Sequence, residues 1–155
     1  MFKLGLIVNP LAGIGGPAAL KGSDGEAAAE ALQEGAGLRA PDRAARALDV
    51  IFHALGGGAV SVLTCPGLMG ESVARQCGFV PELVCETDPL NTRPEDTEQA
   101  ARVLENKSVD LLLFVGGDGT ARNICNAVSP TQPVLGVPAG VKMHSGVYAI
   151  TPEAA

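Results

Sequence analysis

The run Leu111-Leu112-Leu113-Phe114-Val115 passes directly into Gly116-Gly117-Asp118-Gly119-Thr120, and Ala121-Arg122-Asn123-Ile124 follows with helical character. A short continuous apolar run is the pattern of a strand buried on both faces, so the sequence predicts a strand, a tight glycine turn and a helix. Glycines in such a turn permit positive φ and close approach of a ligand, and the first N–H groups of the helix lack partners of their own. That combination suits phosphate oxygens. The carboxylate of Asp118 is expected at the carboxyl end of a central strand, where open parallel sheets bind their ligands. The alternative is a plain strand-to-helix turn in which Asp118 caps the helix; three glycines around one aspartate favour a functional site over it.

A second loop is expected at the same sheet edge. Lys3 to Val8 has the composition of another buried strand and meets Asn9-Pro10-Leu11-Ala12-Gly13-Ile14-Gly15-Gly16. Asn9, Gly13, Gly15 and Gly16 are candidates for phosphate contact, against the alternative that Asn9-Pro10 only ends the strand and the glycines form a flexible tip. Their spacing does not fit G-x-G-x-x-G, and no acidic residue closes the second strand, which disfavours a hydride-transfer domain. Lys142, His144 and Ser145 follow the last expected strand. Together they offer a phosphate chain one fixed charge, one titratable donor and one hydroxyl, although surface placement is the ordinary role of such groups. His53 is expected to be structural or exposed, and Thr92, Asp96 and Thr97 to lie at a helix start, where capping accounts for them.

Gly116-Gly117-Asp118-Gly119-Thr120 resembles, without a substitution, the GGDGT signature shared by NAD kinases, diacylglycerol kinases and sphingosine kinases, with a related form in 6-phosphofructokinases. Asn9 to Gly16 is similar to the asparagine-proline-glycine loop after the first strand of that superfamily. Leu135 to Ser145 looks most like the NAD-kinase-like proteins associated with acetoin catabolism. The resemblance runs from the first strand to Ala155. It implies a three-layer α/β domain with a mostly parallel sheet, residues 1–155 forming an N-terminal nucleotide-binding kinase domain and a β-rich second lobe following residue 155. It also implies phosphoryl transfer from ATP, or from polyphosphate, with Mg2+, to a hydroxyl: the 2′-OH of NAD, giving NADP. Asp118 would then activate the acceptor hydroxyl or organise the metal. Asn9, Gly13, Gly15, Gly16, Gly116, Gly117, Gly119, Thr120, Lys142, His144 and Ser145 would form the nucleotide-binding set, and the full-length protein is expected to be a homo-oligomer. Pro138-Ala139-Gly140-Val141-Lys142 departs from the asparagine-containing leucine-glycine-phenylalanine stretch of typical NAD kinases, at contacts that choose the acceptor. A lipid or sphingoid-base kinase on the same scaffold is the alternative enzyme, and a non-catalytic nucleotide-binding regulator of a catabolic pathway is the alternative outside enzymes.

Positioning these residues requires strands alternating with helices, the pattern of crossover units feeding a parallel sheet. Strands are expected over Lys3–Val8, Val60–Thr64, Leu83–Cys85, Asp110–Val115 and Val134–Val137. Ala44, Ala47, Leu48, Ile51 and Leu55 recur at helical spacing after Pro41-Asp42, with Gly56-Gly57-Gly58 as the stop, and Ala100, Val103 and Leu104 repeat the stripe after Thr92. Residues 13–40 are rich in glycine and alanine and are expected to form a long loop holding one short helix at most. Thr151-Pro152-Glu153 has the form of a helix start with threonine as cap.

The chain's 155 residues fit one domain with one core. Its formal net charge of −6 provides no electrostatic footprint for nucleic acid or an anionic membrane, so phosphates must be met by local features. Its apolar runs are too short to span a bilayer, and the first is too short for a signal peptide, so a cytoplasmic protein is expected. Cys65, Cys77, Cys85 and Cys125 lack CxxC spacing; reduced, mostly buried thiols are expected.

Overall fold

A computed structural model describes residues 1–13, 39–87, 92–140 and 143–155. Five strands form one all-parallel sheet: β1 (Phe2–Val8), β2 (Val60–Thr64), β3 (Glu82–Leu83), β4 (Leu111–Gly116) and β5 (Val134–Pro138). Their spatial order is β3-β2-β1-β4-β5. The chain therefore builds outward from β1 in one direction and then returns to β1's other side with β4. A crevice opens at the carboxyl ends of β1 and β4, where this order reverses.

The helices are α1 (Arg39–Leu55), α2 (Glu71–Gln76), α3 (Pro94–Asn106) and α4 (Asp118–Ala127). Alternation along the strands assigns side chains to two apolar clusters, making three layers. Leu4, Leu6 and Val8 of β1 join Leu113 and Val115 of β4 against Ala40, Ala44, Ala47 and Leu48 of α1 and Val73 and Ala74 of α2. On the other face, Ile7, Leu112 and Phe114 meet Ala100, Ala101 and Leu104 of α3 and Ala121 and Ile124 of α4. Both clusters need small residues where a helix lies close. At Gly5 an added Cβ would lie 3.2 Å from a methyl of Val109.

β4 is interior and pairs with both β1 and β5, as its unbroken apolar run predicted. The expected helix after Pro41 begins at Arg39, with Pro41 in its first turn, and Gly56 ends it at φ 77°. Capping accounts for Asp96, whose carboxylate accepts the Arg93 N–H at 2.7 Å. The long loop expected over 13–40 falls largely on residues 14–38, outside the described residues.

Three expectations are corrected. The third strand is Glu82–Leu83 rather than Leu83–Cys85, because its partner β2 ends at Thr64 and only two registered pairs remain. The Thr151 helix start is a single 3-10 turn, Pro152–Ala154, without a side-chain cap; Glu153 forms an ion pair with Arg46 of α1. The cysteines are not all reduced. Cys65 and Cys85, just past the ends of adjacent strands, have Cα atoms 5.0 Å apart and form a disulfide. Spacing along the chain could not reveal a pairing made by strand adjacency. Of the free thiols, Cys77 is buried and Cys125 is exposed.

The disulfide closes a loop across a sequence separation of 20 residues. Loop entropy of that length corresponds to ~3 kcal/mol, so Cys85→Ser is expected to lower unfolding free energy by up to that amount. Urea titration, with peptide mapping under non-reducing conditions to recover the linked pair, checks it; unchanged stability with no linked peptide would refute the bridge.

Candidate functional site

The site is assembled where β1, β4 and β5 run out. Asn9 follows β1 directly, and its backbone N–H donates to the Val115 carbonyl at 2.9 Å, extending the β1–β4 ladder by one step. Its side chain then works in two directions. Oδ1 accepts the Leu11 N–H at 3.1 Å, closing an Asx turn, and Nδ2 donates to Thr120 Oγ1 at 3.0 Å. Asn9 and Thr120 thus bind each other and tie the end of β1 to the first turn of α4. Thr120 is almost fully buried, so its hydroxyl belongs to this tie.

The glycines of the turn are used differently from the expectation. None of Gly116, Gly117 and Gly119 has positive φ; among the described candidate residues only Gly13 does, at 85°. The reason is that β4 runs into α4 with one extended residue between them, Gly117 at φ −110° and ψ −172°, so the chain needs no left-handed step. What Gly116 provides is space. A Cβ there would lie 2.4 Å from Thr120 Oγ1, inside the Asn9–Thr120 tie. Gly13 likewise admits the backbone of the neighbouring loop, because its Cβ would stand 2.4 Å from the Ala139 carbonyl oxygen. Around Gly119 nothing lies within 4 Å, so this residue leaves the start of α4 open.

Asp118 is the first residue of α4. Ala121 is the first residue of this turn whose N–H reaches back, to the Gly117 carbonyl at 3.0 Å, so the N–H groups of Asp118, Gly119 and Thr120 precede the helix's own bonding. The Asp118 carboxylate does not cap them. It accepts from the turn beyond β5: the His144 N–H at 2.8 Å on Oδ2, and on Oδ1 the Ser145 N–H at 3.1 Å and the Ser145 hydroxyl at 2.8 Å. The His144 backbone bond, with the two from Ser145, holds the Asp118 carboxyl below the usual aspartate range. It is ionised at neutral pH.

Two features hold this turn in place. Tyr148 donates its hydroxyl to the Gly117 carbonyl at 2.5 Å, and its ring packs edge-on against Phe114 at 5.4 Å. Burial, followed by the Asp118 charge, raises its phenol pKa, so it remains a donor. The ring lies over Gly136, where a Cβ would come within 2.5 Å of Tyr148 Cδ1. A cleft of about 430 Å3 opens beside Asp118, lined by Ala121, Arg122 and Cys125 of α4 and by His144, Ser145, Gly146 and Val147 of the turn. This size is within the range of small-molecule sites.

The structure therefore brings together Asn9, Gly13, Gly116, Gly117, Asp118, Gly119, Thr120, His144 and Ser145. Gly15, Gly16 and Lys142 lie outside the described residues. His53 is exposed on α1, its ring paired with the Asp49 carbonyl, away from this edge. Sequence reasoning missed Arg122, Cys125 and Tyr148. The first two carried a signal, since positions 118, 122 and 125 follow helical spacing and share one face of α4. Tyr148 carried none, because its role depends on the hole above Gly136.

Among the described residues no group of three or more His, Cys, Asp or Glu side chains is placed to hold a metal. Asp118 is the one carboxylate among the described residues that line the cleft. That fits Mg2+ carried largely by substrate phosphates with a single protein carboxylate, and it does not fit a dedicated protein cage. No helix among the described residues is long and apolar enough to cross a membrane.

Two outcomes follow from this geometry. In Gly136→Ala the new methyl meets both Tyr148 and Phe114, and overpacking is expected to cost ~1–3 kcal/mol in urea unfolding; an unchanged midpoint would show that the ring moves freely. The Asp118 linkage has a defined sign. Its folded pKa is depressed, so its contribution to stability is complete above the unfolded aspartate pKa of ~3.9 and is lost as pH falls through the lower folded value. Amide proton shifts of His144 and Ser145 are expected to titrate below pH ~4, and to be flat there in Asp118→Asn.

A family model described as ATP-NAD kinase N-terminal domain matches residues 4–155. No curated protein and no solved structure gives a significant match.

Proposed function

The chain belongs to the ATP-NAD kinase family through its N-terminal domain, and on that premise we propose that its crevice transfers a phosphoryl group to a substrate hydroxyl through Asp118. Kinase-type chemistry follows from the family. The finer assignments are the 2′-OH of NAD as acceptor, ATP or polyphosphate as donor, Mg2+ as the ion, and residues 1–155 as the nucleotide-binding domain that works with a β-rich lobe.

The observation that carries the proposal is the position of Asp118: an ionised carboxylate at the start of α4, just past the end of β4, held by three hydrogen bonds to the turn beyond β5 and lining the cleft between them. Phosphoryl transfer asks a protein mainly for positioning and charge stabilisation. The donor's phosphates would meet the free N–H groups of Asp118, Gly119 and Thr120, approached across the open face of Gly119. Asp118 would orient the acceptor hydroxyl and take its proton as the oxygen attacks. A carboxylate held below its usual pKa is a weak base in the ground state, which favours orientation and late proton transfer over early abstraction. Mg2+, when bound, would supply neutralisation of the charge on the transferring group.

The test is NADP formation from NAD with ATP or polyphosphate, for the protein that includes the β-rich lobe and for its Asp118→Asn variant, residues 1–155 alone being expected to turn over little or none. A loss of at least ~100-fold with the fold retained is expected, the range for removing a general base or a metal-organising carboxylate. Near-normal turnover by folded Asp118→Asn would overturn its role. Absence of NADP from the wild type, with phosphate appearing on another hydroxyl compound, would overturn NAD as acceptor.

A further inference from the structure

Two helix-surface arginines close on carboxylates one turn before them, Arg75 on Glu71 in α2 and Arg102 on Glu98 in α3, each at 3.0 Å, and Arg46 of α1 passes over Asp42 to pair with Glu153. Arg122 also has an aspartate four residues earlier, yet it has no ion pair among the described residues. Both oxygens of Asp118 are taken by the His144–Ser145 turn, so the carboxylate faces that turn and Arg122 is left exposed on the cleft wall. Among the described residues Asp118 is the only acidic side chain lining this cleft, in a chain whose formal net charge is −6. A fixed guanidinium there is a local reversal of the protein's overall charge, with donors arranged to match a phosphate.

We propose that Arg122 is the anion anchor of the acceptor: the cleft takes a hydroxyl compound whose phosphate or diphosphate group binds Arg122 while its reacting oxygen lies at Asp118. This rests on the phosphoryl-transfer reading of Asp118. The donor has a different place, at the N–H groups opening α4. An acceptor with an apolar tail and no anionic group near its hydroxyl leaves Arg122 without a partner, which sets this cleft against lipid acceptors.

The cleft contains its own reporter. Cys125 lies on the same face of α4 one turn beyond Arg122, exposed and free. The other thiols are silent: Cys65 and Cys85 are bridged, and burial, with the Asp49 charge, pushes the Cys77 thiol up to about 12. Alkylation of Cys125 by iodoacetamide, followed by peptide mass spectrometry, therefore reads occupancy of this cleft. With inorganic pyrophosphate at ~10 times its dissociation constant, alkylation is expected to slow ~10-fold in the wild type. Protection is expected to vanish in Arg122→Gln and to persist in part in Arg122→Lys, with unchanged circular dichroism in both. No protection in the wild type, or undiminished protection in Arg122→Gln, overturns the anchor. In turnover, Arg122→Gln is expected to raise the acceptor KM at least ~10-fold, the loss expected for a hydrogen bond to a charged group, with donor KM moving less than ~2-fold. A shift in donor KM alone overturns assignment to the acceptor. If the wild type shows no phosphoryl transfer at all, the reading of Asp118 fails, while Cys125 protection still decides whether Arg122 binds anions.

Discussion

The bond set between the Asp118 carboxylate and the His144–Ser145 turn is the constraint on which the rest of the site depends. It joins the start of α4 to the segment beyond β5, across a gap that no strand ladder spans. Charge-assisted hydrogen bonds are stronger and more directional than neutral ones, so three on a single carboxylate fix the turn's position relative to the helix. From this follow the far wall of the cleft, the ionised state of Asp118 and the freedom of Arg122. Were Asp118 paired with Arg122 instead, the cleft would lose its positive group and the turn its anchor together.

Behind this lies a second layer of fixation that involves no charge. Asn9 ties β1 to α4 through Thr120, and Tyr148 ties the turn to Gly117, so the end of β1 and the turn beyond β5 are fixed to residues on either side of Asp118. The glycines make this fixation possible by leaving out side chains: at 116 for Thr120, at 13 for the 139 carbonyl, at 136 for the Tyr148 ring. At Gly119, by contrast, nothing lies within 4 Å of an added Cβ; under the proposed function it is there that a ligand would approach the helix's first N–H groups.

Under the proposed function, the arrangement would let an acidic protein offer a site for anions. The sheet's crevice supplies helix N–H groups at one point and a single guanidinium at another, each acting at short range where screening is weakest. The surface charge elsewhere is free to remain negative and keep the protein from non-specific contacts.

Much of the fold was legible from local pattern. Buried parallel strands are short apolar runs, so Phe2–Val8, Val60–Thr64, Leu111–Gly116 and Val134–Pro138 announced themselves within a residue or so, as did α1 and α3 by their alanine and leucine stripes. The spacing of Gly116 to Thr120 located the strand-to-helix turn and its carboxylate, because a turn is decided by neighbours in sequence. What the sequence could not decide was pairing between distant residues. Cys65 meets Cys85 only because β2 and β3 lie side by side, and Asn9 meets Thr120 only because β4 returns next to β1. Likewise neither Gly116 nor Gly117 has positive φ, and Gly116 serves close packing against Thr120, which depends on what lies above its Cα. Asp118 could be picked out from its neighbours alone, but its engagement by residues 144 and 145, and with it the unpaired state of Arg122, exists only once β5 carries the chain back over the start of α4.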